Sequence, residues 1–348
     1  LAVGLAVCCG ADWLQFRGTD NTGSTGAAKV PATEFQVKTA EQAAKNILWS
    51  TELPFQGVSS PIIVGERTYV TGVTGAKQDR LHVACYANAD GKLLWQRQFW
   101  ATGRTLCHPT SSVAAPTPAS DGRRIYAFYS SNDLICLDLD GNLQWYRGLT
   151  LENPAAANDV GMAASPLVVN GAVVVQLESK GDSFAAGIDA ATGETLWRIP
   201  RKADMNWTSP TLFAPPGGEP LVLLQSTHML TAHNPKTGEQ AWSYEGKCAE
   251  ISSPVSKGDV VLIPADGVTA LRAGAGSANW EKLWQESGLS TGSPSAVIHG
   301  NEIYVLNRAG VLAAGDMTTG KVLWKLRAKG PYWATPLAVG EYLYLVNQ

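Results

Sequence analysis

Hydrophobic and polar positions follow one pattern that recurs along almost the whole chain. A small residue and a proline precede a run rich in Val, Ile, Leu and Tyr, a turn follows, and a tryptophan closes the unit. Strand-rich units of about 40–45 residues are typical of propeller blades, and successive repeat prolines here are 40 to 55 residues apart. The sequence therefore predicts an all-β propeller of four-stranded antiparallel blades. The repeat prolines and tryptophans are Pro61, Pro116, Pro166, Pro210, Pro254, Pro294 and Pro336, and Trp49, Trp95, Trp145, Trp197, Trp242, Trp284 and Trp324.

The third repeat shows the predicted blade most clearly. Proline has no N–H to donate, so Pro166 suits the first residue of a strand and not its middle. Asn170-Gly171 is a typical two-residue hairpin turn, and Trp197 offers a flat surface that can pack between blades. The four predicted strands cover residues 165–169, 172–178, 184–189 and 194–199.

The turn between the third and fourth strands recurs with an acidic or amide residue at its start and a glycine at its end. In the third repeat Asp189 can accept hydrogen bonds from the turn amides, and Gly193 can supply the positive φ that the turn needs. Ala87 replaces this Asp in the first repeat, and residues 273–277 of the fifth repeat lack it. These departures indicate that the Asp is a structural cap and not a catalytic residue.

The blade resembles the pyrrolo-quinoline quinone (PQQ) enzyme repeat, whose pattern is Ala-x-Asp, a three-residue spacer and Gly-Lys-x-x-Trp. Residues 91–95 and 320–324 match the end of that pattern, and the resemblance covers about residues 46–348. The opening Asp12-Trp13-Leu14-Gln15-Phe16-Arg17-Gly18 is similar to the start of exported bacterial propellers described as PQQ-binding-like. The resemblance implies the quinoprotein alcohol dehydrogenase-like superfamily, in which BamB-like propellers share this repeat.

The chain is predicted to have three parts. Residues 1–11 are small or apolar and uncharged, which is typical of the end of a signal peptide. A buried first strand is the alternative, and residues 5–8 also resemble a lipobox, although Val7 stands where Gly or Ala is usual. Residues 12–45 form an N-terminal arm, and residues 46–348 form the propeller.

The propeller is predicted to contain six complete blades and a partial seventh. Residues 46–51 have the pattern of a fourth strand without its first three, so we expect them to close the final blade of the ring. Related exported propellers usually finish with one more blade, so we favour eight blades over seven in the full-length protein, with this chain incomplete. That arrangement would expose the apolar flank of the blade that carries Trp324.

Charge and cysteine usage exclude several classes of protein. The net charge is −3 and the basic residues are dispersed, so nucleic acid is not an expected partner, because phosphate binding needs clustered Lys and Arg. No run of 18 or more apolar residues occurs, so no transmembrane span is predicted.

Cys85 and Cys136 take equivalent places in consecutive repeats, and packed sheets are too far apart for such a pair to bridge, which indicates buried free thiols. Pairing of Cys107 with Cys248 stays open.

The PQQ resemblance also implies a particular chemistry. PQQ-dependent alcohol dehydrogenases use a vicinal disulfide, a calcium ion held by carboxylate and amide ligands, and a catalytic Asp. The only Cys-Cys here is Cys8-Cys9, in the predicted signal, and no carboxylate cluster has calcium-loop spacing. We therefore expect no cofactor, metal or catalytic residue, with a PQQ- and calcium-dependent oxidoreductase as the alternative. Residues 288–292 match G-x-S-x-G, but a new strand follows them, so they are predicted to form an inter-blade loop.

Two inter-blade loops are longer than the others. The distance from tryptophan to the next repeat proline is 21 residues in both, against 10 to 13 elsewhere. Loops 96–115 and 146–165 should emerge side by side on one face, and long loops on a rigid scaffold are where binding residues concentrate. The alternative is that they only cover strand ends, with His108 hydrogen-bonded locally. The candidate binding residues in these loops are His108, Ser111, Asn158 and Asp159.

Three further candidates are predicted on the same face. Trp207 and Trp333 each precede the start of a blade, where they could stack on a ligand or merely pack beneath the loops. Arg201 could bind a ligand or simply be solvated. The sequence thus favours an exported, non-catalytic, monomeric binding or scaffold protein of the periplasm or cell envelope. Its partner is an unidentified protein or cell-envelope ligand.

Overall fold

The computed structural model describes residues 12–26, 31–39, 42–156, 160–274 and 279–347. Within these ranges, six four-stranded sheets and one three-stranded sheet follow one another along the sequence. Each four-stranded sheet pairs its strands antiparallel and in chain order. The first strands of successive sheets contact one another, so the sheets are blades arranged around a central channel. The predicted all-β propeller is confirmed.

The first strand among the described residues, β1 (Ser24–Thr25), precedes the blade repeat. Blade 1 contains β2 (Ile62–Val64), β3 (Arg67–Thr74), β4 (Arg80–Ala87) and β5 (Leu93–Trp100). Blade 2 contains β6 (Ala119–Ser120), β7 (Arg124–Phe128), β8 (Asp133–Asp138) and β9 (Leu143–Gly148). Blade 3 contains β10 (Leu167–Val169), β11 (Ala172–Leu177), β12 (Phe184–Asp189) and β13 (Thr195–Pro200). Blade 4 contains β14 (Thr211–Phe213), β15 (Leu221–Ser226), β16 (Met229–His233) and β17 (Gln240–Glu245).

The remaining blades follow the same order. Blade 5 contains β18 (Val255–Lys257), β19 (Val260–Ile263), β20 (Val268–Arg272) and β21 (Glu281–Glu286). Blade 6 contains β22 (Val297–His299), β23 (Glu302–Leu306), β24 (Val311–Asp316) and β25 (Val322–Arg327). The described part of blade 7 contains β26 (Leu337–Val339) and β27 (Tyr342–Tyr344), and β1 pairs in parallel with β26. One short helix, α1 (Leu149–Glu152), lies in the second long loop.

Burial explains the strand order within a blade. In blade 3 the second strand, β11, is buried at every position, as its largely apolar sequence predicts, and Gln176 is its one polar residue. The outer strand, β13, is exposed at most positions, and its tryptophan is the buried exception. The core therefore lies between neighbouring blades, and the polar outer strands face solvent.

Hydroxyl groups at the start of the first strands join the blades into a hydrogen-bonded ladder. Ser60 N donates to Thr117 Oγ1 at 3.2 Å, and Thr117 N donates to Ser165 Oγ at 3.0 Å. The small residue of the repeat is thus a Ser or Thr whose side-chain oxygen accepts a hydrogen bond from an N–H of the preceding blade. The same bond continues from Ser165 N to Ser209 Oγ, from Ser209 N to Ser253 Oγ, from Ser253 N to Ser295 Oγ and from Ser295 N to Thr335 Oγ1.

This ladder corrects the predicted register of two repeats. The residue equivalent to Pro61 directly follows the ladder hydroxyl, and in blades 2 and 6 that residue is Pro118 and Ala296. Pro116 and Pro294 precede the hydroxyl instead. A proline on either side leaves the N–H of the intervening Thr or Ser free to donate, so spacing alone did not distinguish the two registers.

The tryptophan that closes a blade docks on the turn of the next blade. A Cβ on Gly141 would lie 2.7 Å from the Trp95 indole, and the φ of 83° at Gly141 also favours glycine. Trp95 Nε1 donates to Leu139 O at 3.0 Å. Equivalent bonds join Trp49 to Asn88 O, Trp145 to Ala190 O, Trp197 to Pro235 O and Trp284 to Met317 O.

The acidic residue of the turn is a cap, as predicted. Asp189 Oδ1 accepts hydrogen bonds from the N–H groups of Ala191 and Thr192. The hydrogen bonds from the N–H groups of Thr192 and Ala191 hold the pKa of Asp189 below its usual range. Asn234 Oδ1 accepts the same two bonds in blade 4, so a charge is not required.

Two tryptophans depart from this docking rule. Blade 5 lacks the turn motif, and Trp242 Nε1 is buried without an acceptor in the described part of the chain. Trp280 compensates by packing edge-on against Tyr244 at 5.4 Å and donating to Ser243 O. Trp324 is 41% exposed, against 7% for Trp197, so the predicted apolar flank is exposed in this structure.

Residues 46–51 form no strand in this structure, and their place in the final blade of the ring stays a prediction. A fourth strand pairs with the third strand of its own blade, and the described part of the seventh sheet holds only β1, β26 and β27. Trp49 nevertheless docks on Gly91 as closing tryptophans do elsewhere. The count of eight blades stays a prediction, and the predicted signal residues 1–11 lie outside the described residues.

The four cysteines within the described residues are free. Cys85 and Cys136 are fully buried, as their equivalent positions in neighbouring blades predicted. Burial raises the pKa of the Cys85 thiol to about 11 and that of Cys136 to about 12. Cys107 and Cys248 do not pair.

Candidate functional site: the loop face

The two long loops lie against each other on the face where each outer strand passes to the next blade, which we call the loop face. Ser130 Oγ donates to Leu106 O in the first loop at 2.8 Å and accepts from Met162 N in the second loop at 2.8 Å. A Cβ on Gly161 would lie 2.3 Å from Leu106 O, so the glycine permits the close approach. The structure therefore brings the two insertions together side by side.

His108 and Ser111 form a local turn at the tip of the first loop. His108 Nδ1 lies 2.8 Å from Thr110 Oγ1, and Ser111 N donates to His108 O at 2.8 Å. His108 is exposed and Ser111 is half-buried. The local hydrogen bond expected as the alternative is thus present, while the imidazole remains accessible to a partner. Asn158 and Asp159, the candidates in the second loop, lie outside the described residues.

Trp207 packs beneath the second loop. Its Nε1 donates to Gly161 O at 2.9 Å, and its backbone N donates to Glu250 O at 2.8 Å. The half-buried indole thus ties the second loop to the segment between blades 4 and 5. The packing alternative describes this residue better than ligand stacking does.

Arg201 is not a solvated loop residue. Its side chain is 5% exposed and its Nε lies 2.7 Å from Glu178 Oε1, whose side chain is fully buried. Nη1 donates to Thr231 Oγ1 at 3.0 Å and Nη2 to Leu224 O at 3.3 Å. Burial raises the pKa of Glu178 above its usual range, although the Arg201 charge opposes the shift. An ion pair buried under the loops cannot serve as an accessible binding residue.

Trp333 lies at the rim of a cleft. The indole is 47% exposed, and the Arg308 guanidinium lies 5.2 Å from its ring centroid. Arg308 Nε also donates to Ser293 Oγ at 3.1 Å. A cation held over an exposed aromatic face is a fixed, amphipathic contact surface. Of the predicted residues, Trp333 is therefore the one best placed for recognition.

The cleft has a volume of about 690 Å³ and lies between loops of blades 4, 5 and 6. Lys247 and Arg308 contribute two exposed cations, and Glu250 contributes one exposed carboxylate. Burial raises the pKa of the Cys248 thiol to about 12, so this lining residue stays protonated and is a poor nucleophile. The other lining residues are Thr227, Ala249, Ile251, Thr291, Gly292, Asn307 and Ala309.

Sequence reasoning missed this cleft. Arg308 lies in a short turn between the second and third strands of blade 6, and Lys247 lies in a loop of ordinary length. Loop length pointed only to the two insertions, because a cleft between short loops of three blades leaves no spacing signal. Once the positions of the strands in the repeat are known, they place Lys247 and Arg308 on the loop face. This is the one feature of the sequence that could have pointed to the cleft.

Metal-binding groups were also predicted to be absent. In the parts of the chain that the structure describes, no group of three or more His, Cys, Asp and Glu side chains could hold a metal ion. None of the helices among those residues is both long and apolar enough to cross a membrane.

A family model described as outer membrane protein assembly factor BamB matches residues 25–182, 79–266 and 264–348, which together span most of the chain. The chain belongs to this family. The predicted membership in the PQQ-repeat, BamB-like propellers is thereby confirmed.

Solved structures share the fold at low identity. BamB from Moraxella catarrhalis is 17% identical, with a TM-score of 0.62 over 86% of this chain and 83% of that one. A europium-containing methanol dehydrogenase is 12% identical, with a TM-score of 0.64 over 96% and 81%. Quinohemoprotein alcohol dehydrogenase from Comamonas testosteroni is 12% identical, with a TM-score of 0.68 over 97% and 72%.

A curated relative is matched over a shorter region. Tetrathionate hydrolase from Acidithiobacillus ferrooxidans is 23% identical over 205 residues, which are 54% of this chain and 35% of the relative. The chain thus spans about a third of the length of that enzyme. The similarities to solved structures support the propeller fold, and they do not separate binding proteins from dehydrogenases.

Proposed function

We propose that this protein is a non-catalytic binding or scaffold propeller that holds a protein or cell-envelope ligand on its loop face. The observation that carries the proposal is the cleft between Lys247, Glu250 and Arg308, with Trp333 stacked at its rim. Aromatic and arginine side chains are enriched where interfaces gain most of their binding energy. The Cys248 thiol of the cleft is buried and protonated, so it is a poor nucleophile, which favours binding over catalysis there.

The rest of the loop face supports a binding surface. The paired long loops present His108 beside a rigid base that Ser130, Gly161 and Trp207 tie together. A base fixed by hydrogen bonds loses little freedom when a partner binds, so its contacts add affinity. We therefore extend the proposed surface from the first loop to the cleft.

The proposal places the protein in the cell envelope. The family description names an outer membrane assembly factor, and residues 1–11 have the composition of the end of a signal peptide. Export, periplasmic location and a monomeric state belong to this proposal.

A quinoprotein oxidoreductase is the second candidate, supported by the fold similarity to two alcohol-oxidising enzymes. The residues present offer a calcium-bound quinone one buried carboxylate, Glu178. Its Oε1 is bound by Arg201 and by Gln176 Nε2, and its Oε2 has no hydrogen-bond partner among the described residues. No group of three or more His, Cys, Asp and Glu that could hold a metal ion occurs there, so the described residues do not supply the set of carboxylate ligands that calcium prefers. The absence of bound quinone, metal and nucleotide stays a prediction.

Site-specific photocrosslinking in cells tests the binding proposal. A crosslinking amino acid replaces His108, Lys247 or Arg308 on the loop face, and matched controls replace the exposed Arg123 or Lys236 in turns on the opposite face. We expect discrete adducts at the loop-face positions and none at the controls. Equal labelling of both faces would contradict the proposal.

A separate measurement tests the quinoprotein candidate. Purified protein is incubated with calcium and PQQ, then passed through gel filtration while quinone absorbance and dye-linked alcohol oxidation are recorded. We expect neither retained absorbance nor activity. Stoichiometric retention of PQQ would favour the oxidoreductase.

A further inference from the structure

Residues 12–25, which we call the inner arm, lie along the channel side of the first strands. The inner edge of each first strand carries backbone groups without a sheet partner, and such edges need covering. Trp13 covers blade 1 by exchanging two 2.9 Å backbone bonds with Ile63, and Leu14 O accepts from Ser120 N in blade 2 at 2.8 Å. Four more blades donate to the arm: Val168 N to Gln15 Oε1 at 3.3 Å, Leu212 N to Asn21 Oδ1 at 2.9 Å, Ile298 N to Thr22 O at 3.0 Å, and Ala338 N to Gly23 O at 3.0 Å.

Arg17 supplies the contact to blade 5. Its Nη2 donates to Pro254 O at 2.6 Å, and its Nη1 reaches Ala296 O in blade 6 at 3.4 Å. Arg17 is 4% exposed. Burial lowers the pKa of its guanidinium to about 9, and the Asp20 carboxylate opposes the shift. A charge buried against carbonyl dipoles persists only where the surrounding geometry holds it.

The backbone of the inner arm is bent to reach the seven blades. Arg17 and Asn21 have φ of 62° and 58°, a region that costs energy for residues other than glycine. Gly18, at φ 88°, approaches so closely that a Cβ would lie 2.9 Å from the Trp13 ring. Contacts on either side hold these strained positions in place. Such strain persists where a segment has a specific role, so the inner arm is not a loose connection.

We propose that the inner arm is an intramolecular clasp, anchored by Arg17, whose docking couples all seven blades. The segment from Asp12 to Gly18 that opens the described chain would then be a structural device of the propeller and not part of its binding face. The clasp covers edge groups of every blade at once, so its release should loosen blades that are far apart in the sequence.

Hydrogen exchange at residue resolution on the full chain tests the coupling. In Arg17→Met, we expect the amides of Ile63, Ser120, Leu212, Ile298 and Ala338 to exchange faster by one shared factor of about tenfold or more. Amides in the middle of a blade, such as that of Val174, should keep wild-type rates. A change confined to residues around Pro254 and Ala296, or no change, would overturn the proposal.

Arg97→Met is the matched control. Arg97 Nε also donates to a backbone carbonyl, Gly141 O at 2.7 Å, but it joins only blades 1 and 2. We expect faster exchange in those two blades alone. If this variant loosens the same distant amides as Arg17→Met, the effect is general destabilisation and the clasp is wrong.

A milder variant keeps the test decisive if Arg17→Met does not fold. Gln15→Ala removes the acceptor of Val168 N and, within the arm, the Nε2 donor to Thr19 O. A coupled clasp predicts a smaller shared acceleration at all six donor amides. Faster exchange at Val168 alone would show that the arm contacts each blade independently, which would overturn the proposal.

Discussion

Two arginines are almost fully buried in this propeller, and they are held in different ways. Arg201, under the loop face, lies 2.7 Å from the fully buried carboxylate of Glu178. Arg17, in the inner arm, donates its hydrogen bonds to the carbonyls of Pro254 and Ala296. The first is a pair of charges and the second is a charge among dipoles. Removing one partner therefore strands an ion in the first case and only neutral oxygens in the second.

The difference separates two uses of a buried cation. Glu178 directly follows β11, so the Arg201 pair joins the end of the second strand of blade 3 to the segment that leaves that blade. Arg201 also donates to Thr231 and Leu224 of blade 4. It is therefore local to two neighbouring blades. Arg17 reaches from the arm to blades 5 and 6, far along the sequence. Arg17 positions the inner arm through directional hydrogen bonds to two carbonyls, and this role does not require a carboxylate partner.

The largest expected effect comes from Arg201→Met. The substitution leaves the Glu178 carboxylate buried without its cation, which typically costs about 3–5 kcal/mol of unfolding free energy. Urea denaturation at neutral pH measures the loss. Arg198→Met is the control, because Arg198 pairs with Asp182 at 2.7 Å but both side chains are about two-fifths exposed. Exposed pairs contribute about 0–1 kcal/mol, so equal losses in the two variants would contradict the comparison.

The pH dependence of stability gives a second test of the buried Arg201–Glu178 pair. Burial raises the folded-state pKa of Glu178 above its unfolded value of about 4.5, so the folded state holds this proton more tightly. The contribution of Glu178 to stability should therefore fall as pH rises from the unfolded pKa to the folded one, and then level off.

Glu178→Gln isolates this contribution from other carboxylates. Asp138 and Asp189 have lowered pKa values and produce the opposite slope in both proteins. We expect the stability of the wild type minus that of Glu178→Gln to decrease with rising pH. A difference that stays flat or increases would show that Arg201 overcomes the burial of the carboxylate.

Arg17→Met should cost less than Arg201→Met. The variant leaves two carbonyl oxygens short of a donor, which costs about 1–3 kcal/mol for each one that is left unsatisfied, and it offsets that loss by relieving the cost of burying a charge. Urea denaturation gives the size of the loss. A loss larger than that of Arg201→Met would mean that the arm contributes more than its hydrogen bonds to these two blades, and would contradict the expected order of the two variants.

The fold followed from the sequence because the repeat encodes it several times over. Proline, turn glycine and tryptophan recur at fixed spacing, and each has one physical role that the structure repeats between blades. The register of Pro116 and Pro294 was wrong because the determinant is the neighbouring hydroxyl, whose ladder partner lies in another blade. A single sequence does not show which of two adjacent positions makes that bond.

The candidate site was less predictable for a related reason. Loop length pointed to His108, but the accessibility of Arg201 depends on Glu178, which directly follows the buried strand β11 of the same blade. Likewise the cleft depends on Lys247 and Arg308 meeting across three blades. These features arise from tertiary packing between residues that no local pattern connects.

The smallest effect on stability is expected at a third arginine, Arg308, which is exposed at the rim of the cleft. Arg308→Met removes a cation stacked 5.2 Å from the Trp333 ring centroid, so the unfolding free energy should change by only about 0.5–1 kcal/mol. Partner binding should nevertheless weaken, because the substitution removes one of the two cations of the cleft. The yield of photocrosslinks from position 247 measures that loss, with Arg123→Met on the opposite face as the control. A large loss of stability would make Arg308 a structural residue like Arg201, and an unchanged crosslink yield would exclude it from the binding surface.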